Sequence, residues 1–422
     1  PVFAALLLTP YYALIGFVVG LAGAICGWVG GALAHPTSIA PHAAPLRSVC
    51  LIARSGDGQG DPAPDRVRSK DGGEMGNRQI RWGVVGAAMI ATTRTMPAMA
   101  QAPSALLFGV ASRRLEQAER VAAELGVPRA YGSYDELLAD PDVDAVYLPL
   151  PTDLHLEWAT RAMEEGKHVL CEKPLCLRSM DVASLCEVRD RTGRHIEEAF
   201  GYRNHPQWTE IATVLRTGTI GEPRALHATL AKQFLDPDDI RNDPDRGGGA
   251  MYDMGSYAIS ACSAVFGRSP ERVIATMDRD PSFGIDRLST AVLDYGGRHA
   301  VFTVATQSGP SSWATHQQLT VLASAGWLRC DFPFAHARPT GCRVEIGDSG
   351  SVGCLPTSTM IFEPVNQYAL QVERFSRHLL GEDVPSWPIE DAAVTLGTIE
   401  ALFESARTGR WQPVSGVPLP HP

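Results

Sequence analysis

Between Ile80 and Pro174 the chain alternates short, nearly continuous apolar runs with segments whose apolar residues recur every three or four positions. Runs at Ile80 to Val85, Leu106 to Ala111, Asp144 to Leu148 and the stretch opening at Gly166 read as buried strands. Periodic segments at Leu115 to Leu125, Tyr134 to Ala139 and about Leu154 to Glu165 read as helices. Repeated βα units of this length specify a doubly wound parallel sheet, the Rossmann architecture. Beyond Gly221 the rhythm shortens. Arg224 to Phe234, Glu271 to Asp278, Ser289 to Tyr295, Ala300 to Gln307, Gln317 to Ala323 and Trp327 to Cys330 read as short strands parted by turn residues. Asn366 to Leu380 and Ile389 to Arg407 read as closing helices. The fold class is therefore α/β, with an N-terminal Rossmann domain over 80–200 and a second domain over 201–414.

The N-terminus breaks this pattern. Pro1 to Leu46 contains no Asp, Glu, Lys or Arg, and Phe3 to Ala34 is an apolar run long enough to span a bilayer. Two readings are open for 1–46. As a transmembrane segment, it would be followed by Arg47, Arg54, Arg66, Arg68 and Lys70, which hold the catalytic part on the cytoplasmic side. As an extraneous leader, it is followed by a disordered linker over 47–79, whose Gly/Asp/Pro/Arg-rich composition has no periodicity. Membrane association is expected only on the first reading.

Composition narrows the function classes. The 422 residues carry a formal charge of -10, which argues against a nucleic-acid groove. Nine cysteines form no C-x-x-C pair, so neither a zinc site nor a regular disulfide framework is indicated. Scattered thiols fit a reducing, cytoplasmic compartment.

Several motifs carry chemistry. Gly86-Ala87-Ala88-Met89-Ile90-Ala91 follows the first strand as G-x-A-x-x-A, where the glycine makes the tight turn and small residues let backbone N–H groups approach a pyrophosphate. The second strand ends in Ser112-Arg113, 21 residues beyond Ala91 at Ser112, where an acidic residue would bind a ribose 2′-hydroxyl. A serine and an arginine suit a 2′-phosphate instead, which favours NADP over NAD. In Glu172-Lys173-Pro174, Lys173 ends a strand where open parallel sheets bind their ligands; a surface Glu-Lys pair is the plainer reading. Asp253 and Tyr257, four apart after Gly247-Gly248-Gly249, share a helix face, as core packing would also allow. His155 heads a helix after Pro151, bordering a nicotinamide or simply exposed at a helix start.

Taken in order from about Arg81 to Val414, these pieces resemble the Gfo/Idh/MocA oxidoreductases. Pro149-Leu150-Pro151, Glu198-Ala199-Phe200-Gly201-Tyr202-Arg203-Asn204-His205-Pro206 and Asp253-x-Gly255-x-Tyr257 are similar to the branch holding D-xylose and trans-dihydrodiol dehydrogenases. The resemblance implies a large, mostly antiparallel sheet in the second domain, through which homo-oligomers form. It implies cofactor contacts from Gly86, Ala88, Ile90, Ser112, Arg113, Leu150, Pro151, His155, Glu172 and Lys173. It also implies a catalytic group of Lys173, Asp253 and Tyr257, with Arg203, His205 and His155 as substrate-binding candidates and no metal. Asp153 stands where the family most often has Asn, and Asn204 replaces a usual apolar residue.

The expected reaction moves hydride between nicotinamide C4 and the CH–OH of a sugar or cyclic diol. Tyr257 transfers the proton, Lys173 favours its ionised form, and Asp253 orients the hydroxyl or the lysine. Alternatives are an enzyme of the glucose-fructose oxidoreductase type with tightly bound NADP, and a non-catalytic NADP-binding sensor.

Overall fold

The computed structural model describes residues 78–309, 315–334, 341–351 and 355–414. The expectations for the apolar leader and for the linker up to residue 77 lie outside them. Among the described residues no helix is long and apolar enough to cross a membrane.

The first lobe is a six-stranded parallel sheet. Its strands are β1 (Ile80–Val85), β2 (Ala105–Ala111), β3 (Arg129–Tyr131), β4 (Ala145–Leu148), β5 (His168–Cys171) and β6 (Ile196–Glu198), in the order β3-β2-β1-β4-β5-β6. Every residue of β4 and β5 is buried, as expected of strands covered on both faces. The order reverses between β1 and β4, so a crevice opens beyond their carboxyl ends.

The helix Gln367–Leu379, nearly 300 residues from β1, packs on this sheet. Trp82 is fully buried against Phe375, with ring centres 5.2 Å apart, and its indole N–H donates to Ser376 Oγ at 3.0 Å. Val372 and Leu379 join the same cluster. This late helix thus completes the first lobe's core.

The second lobe is built on nine strands: β7 (Pro223–Ala231), β8 (Arg272–Arg279), β9 (Asp286–Asp294), β10 (His299–Ala305), β11 (His316–Ala323), β12 (Trp327–Asp331), β13 (Cys342–Gly347), β14 (Ser358–Phe362) and β15 (Gln412–Pro413). Their order is β14-β13-β12-β11-β7-β10-β9-β8-β15. Each paired neighbour is antiparallel except β7 with β10. Along β7, Leu226, Ala228 and Leu230 are buried while His227 is exposed and Ala225, Thr229 and Ala231 are partly so, the period-two alternation of a sheet with one covered face. The covering helices are Ser256–Phe266 and Glu390–Thr408.

The long elements fall within a few residues of their sequence-based bounds. Unforeseen were β3 and β6, which are too short to show a rhythm, and, in the second sheet, β13 and β14 at one edge and β15 at the other. The Ser179–Thr192 and Pro206–Thr217 helices were also unforeseen.

Candidate active site

The turn after β1 is made by Gly86 at φ +112°, a conformation that L side chains rarely adopt. A Cβ here would meet Leu150 Cδ2 at 2.9 Å. The turn opens a groove of about 500 Å³ lined by Gly86, Ala87, Ala88, Leu150 and Pro151 together with Ser112, Arg113, Arg114 and Tyr134. Ser112 Oγ accepts the N–H of Arg114 at 3.3 Å. Burial raises the Tyr134 phenol, and Arg113 pulls against that rise, which puts the Arg113 charge beside the ring. The cradle fits an extended dinucleotide: a bare glycine for close approach, small residues at a helix start, and cations for a ribose phosphate. Ile90 differs from expectation. It packs with Ala98, Tyr368 and Ala369 and does not line the groove.

The helix leaving the groove is not uniform. Residues Ala91–Thr95 form a π turn before an α-helical turn at Met96–Met99. Thr95 Oγ1 donates to the Tyr147 hydroxyl at 3.1 Å, and that hydroxyl donates to Glu172 Oε1 at 2.6 Å. Burial raises the Glu172 carboxyl, and the bond from Tyr147 offsets part of the rise. The cofactor-side helix is thereby tied to the residue preceding Lys173.

Lys173, joined to Pro174 by a cis peptide bond, reaches into the second lobe. Its Nζ donates to Asp253 Oδ1 and to the Asp253 carbonyl, each at 2.7 Å. Asp253 Oδ2 accepts from Arg241 Nε at 3.1 Å. Burial alone would raise the Asp253 carboxyl, but Lys173 and Arg241 outweigh it and hold the group well below the usual carboxylate range. A second π turn, Met251–Gly255, presents Asp253 and runs into the helix bearing Tyr257; such turns are frequent at functional sites. Its start is held by the buried Asp286, which accepts from Met251 N at 2.8 Å and Ser289 Oγ at 2.6 Å.

The Lys173 ammonium sits 4.6 Å from the centre of the Tyr257 ring. This corrects the expected electrostatics. Burial pushes the Tyr257 phenol well above its ordinary value, with further rises from Tyr368, Glu172 and Asp253. The lysine's charge is matched by Asp253, so the site holds the phenol protonated and does not favour the phenolate.

Three histidine and arginine candidates take other places. His155 is fully buried, and its Nδ1 and Nε2 lie 3.0 Å and 2.8 Å from the carbonyls of Pro174 and Leu150. It joins the ends of β4 and β5 behind the groove and presents no nitrogen to a substrate. Arg203 donates to Ser260 Oγ at 2.8 Å and Asp391 Oδ2 at 3.3 Å. His205 caps the Pro206–Thr217 helix by accepting Gln207 N at 3.2 Å. His205 is buried, and Arg203 is part-buried in the short 3-10 turn Gly201–Asn204. Asp153 is exposed in the turn Thr152–Leu154. Arg241, Tyr147 and Thr95 were not foreseen: Arg241 lies in an aspartate-rich loop without periodicity, and the other two read as core.

A switch-point groove, in a fold that also sets an ammonium against a protonated phenol, suits hydride transfer to or from a dinucleotide, and the protein is an NAD(P)-dependent oxidoreductase. Residues 80–200 match the oxidoreductase family, NAD-binding Rossmann fold, and residues 208–329 match the GFO/IDH/MocA C-terminal domain. The chain belongs to the Gfo/Idh/MocA oxidoreductase family. It is 41% identical to the oxidoreductase ORF334 of Rhizobium meliloti, over 79% of this chain and 99% of that one. It is 35% identical to the D-xylose 1-dehydrogenase (NADP(+)) 2 of Haloferax volcanii, over 78% and 98%. The 3-ketoreductase KijD10 of Actinomadura kijaniata, solved with NADP and TDP-benzene, superposes with a TM-score of 0.70 at 30% identity, covering 78% of this chain and 98% of that one. KijD10 has also been solved with one lysine changed to alanine and with one tyrosine changed to phenylalanine. Those two residues stand as far apart in that chain as Lys173 and Tyr257 do in this one.

Proposed function

We propose that this protein transfers hydride between NADP(H) and a secondary or anomeric CH–OH of a sugar-class or cyclic diol substrate, with Lys173, Asp253 and Tyr257 as its catalytic group. The observation that carries the reading is the contact of Lys173 with both Asp253 and the Tyr257 ring across the two lobes.

When bound, the nicotinamide would give or take the hydride at C4. Lys173 would donate a hydrogen bond to the substrate oxygen and stabilise negative charge developing there. Asp253 fixes the ammonium through two 2.7 Å bonds, leaving the third ammonium proton for substrate. Tyr257, held protonated, is an acid: in reduction it gives its proton to the nascent alkoxide, and in oxidation the same path runs backwards. Gly86, Ala88, Leu150 and Pro151 would hold the pyrophosphate and nicotinamide side, and Ser112 and Arg113 the 2′-phosphate. The NADP-dependent xylose dehydrogenase and NADP-bound ketoreductase relatives support that choice of cofactor.

The polyol class is supported by relatives that include a xylose dehydrogenase, dTDP-sugar 3-reductases and trans-dihydrodiol dehydrogenases. A panel of aldoses, keto-sugars and dihydrodiols assayed with NADP⁺ and NADPH tests it; absence of turnover with all of them would overturn the reading. We take the open face of the nine-stranded sheet as the surface through which copies associate, which light scattering would check.

A further inference from the structure

Beside the catalytic group lies a second set of charges that the reaction described above does not use. Lys232 follows β7 directly, its backbone N–H donating to Ala305 O at 2.9 Å. Its half-buried ammonium lies 4.6 Å from the centre of the Phe234 ring, and the Arg241 guanidinium lies 4.4 Å from the same centre. Phe234 is fixed in turn, donating from its N–H to Thr306 O at 2.7 Å.

The carboxylates here are committed to the other cations. Arg241 is matched by Asp239 and Asp253, and Lys173 by Asp253. Lys232 Nζ has neither an ion pair nor a hydrogen bond among the described residues, and its interaction there is with the Phe234 ring. Arg241 spends Nε on Asp253 and Nη1 on Asp239, leaving Nη2 without a hydrogen-bond partner there. Of the nearby carboxylates, Asp239 and Asp253 are taken up by Arg241 and Lys173, and Glu172 accepts from Lys173 N and the Tyr147 hydroxyl, so none of them pairs with Lys232. A ring contact compensates an ammonium drawn part-way out of water less well than a counter-ion does. Burial, with Arg241 adding to it, presses the Lys232 ammonium below its ordinary pKa, while Asp253 and Asp239 pull the other way.

We infer that the substrate of this site carries an anionic group, a carboxylate or a phosphoryl group, that pairs with Lys232 beside the free Nη2 of Arg241 while the reacting carbon lies at Lys173 and Tyr257. The inference rests on the oxidoreductase reading and narrows its substrate class. A neutral pentose or cyclic diol would leave Lys232 uncompensated. A hexuronate, a sugar phosphate or a nucleoside-diphosphate sugar would complete the balance.

The test is calorimetric titration of the full protein, saturated with NADP⁺, with D-glucuronate, D-glucose 6-phosphate, thymidine diphosphate and D-glucose. Parallel kcat/KM measurements use the three sugars. At least one anion should bind about tenfold or more tightly than D-glucose, lose about tenfold in Lys232→Gln and recover most of it in Lys232→Arg. The kcat/KM ratio of that anionic sugar to D-glucose should fall by the same factor in Lys232→Gln. Preference for glucuronate assigns a carboxylate; preference for the phosphorylated ligands assigns a phosphoryl group. Equal binding of D-glucose and every anion, or a Lys232→Gln variant that binds them as wild type does, overturns the inference and leaves the oxidoreductase reading standing. Anion binding that depends on Lys232, with no hydride transfer from any sugar to NADP⁺, overturns that reading and keeps the anion site.

Discussion

The Lys173 ammonium lies over the face of the Tyr257 ring, 4.6 Å from its centre, although the two residues belong to different lobes. A cation in that position is attracted by the ring's electrons, and its hydrogens are aimed at Asp253. The nearest acidic group therefore takes up the lysine's charge, and the phenol keeps its proton. The pair is poised to protonate an oxyanion, which is the need of a carbonyl reduction.

Replacing Lys173 by Ala removes the charge that would meet the developing alkoxide and leaves Asp253 paired with Arg241 alone. Steady-state assays should show kcat lower by roughly 10²–10⁴-fold, while NADPH binding followed by fluorescence stays within a few-fold of wild type. An unchanged kcat would remove Lys173 from the mechanism.

The Tyr257→Phe variant keeps the ring and deletes the proton. The reductive kcat should fall by roughly 10²–10³-fold. In the wild type the donor form is the protonated phenol, and its pKa lies above the ordinary value. The reductive rate should thus hold level through neutral pH and decline only on the alkaline side, whereas oxidation, which needs the base, should rise with pH. A reductive rate that climbs from pH 7 to 9 contradicts this assignment.

Arg113→Ala should discriminate between the two cofactors. Losing a charge-assisted contact to the 2′-phosphate costs about 1.5–3 kcal/mol, or roughly 10–100-fold in Kd. NADH lacks that phosphate and should bind the variant about as it binds wild type. Equal losses for both would place the arginine elsewhere than at the phosphate.

Glu198 predicts a pH dependence of stability. Burial pushes its carboxyl from an ordinary 4.5 up to about 7, against the pull of Arg203 and the Leu175 N–H. The folded state therefore holds a proton that the unfolded chain releases. Its contribution is fully present below about pH 4.5 and is lost as pH rises to about 7, on the order of 3 kcal/mol. Urea titrations at pH 5 and 8 should show this decline in the wild type and a smaller one in Glu198→Gln. Parallel curves for the two proteins would dismiss the claim.

Much of the architecture was legible in the apolar rhythm, because strands buried on both faces and amphipathic helices must place their apolar residues at fixed periods. Ile80–Val85, Leu115–Leu125 and Tyr134–Ala139 stand at their expected bounds. The glycine turn was legible because a backbone at φ +112° admits little else. Lys173, Asp253 and Tyr257 were singled out by motif, and the structure brings them together. Their protonation was not legible. It follows from burial and from which carboxylate reaches which cation, and these are contacts between segments 80 residues apart.

By itself the sequence determined the two-lobed α/β plan and the dinucleotide turn, and it singled out the side chains proposed to react, since each depends on local periodicity, on one residue's own conformational limits or on a short motif. Only the tertiary structure decided that His155 and His205 are buried and Arg203 part-buried, that a helix near the C-terminus closes the first lobe, and that Lys232 is left without a counter-ion. Those outcomes depend on which distant groups meet in a low-dielectric interior, where each buried hydrogen-bonding group or charge must find its partner.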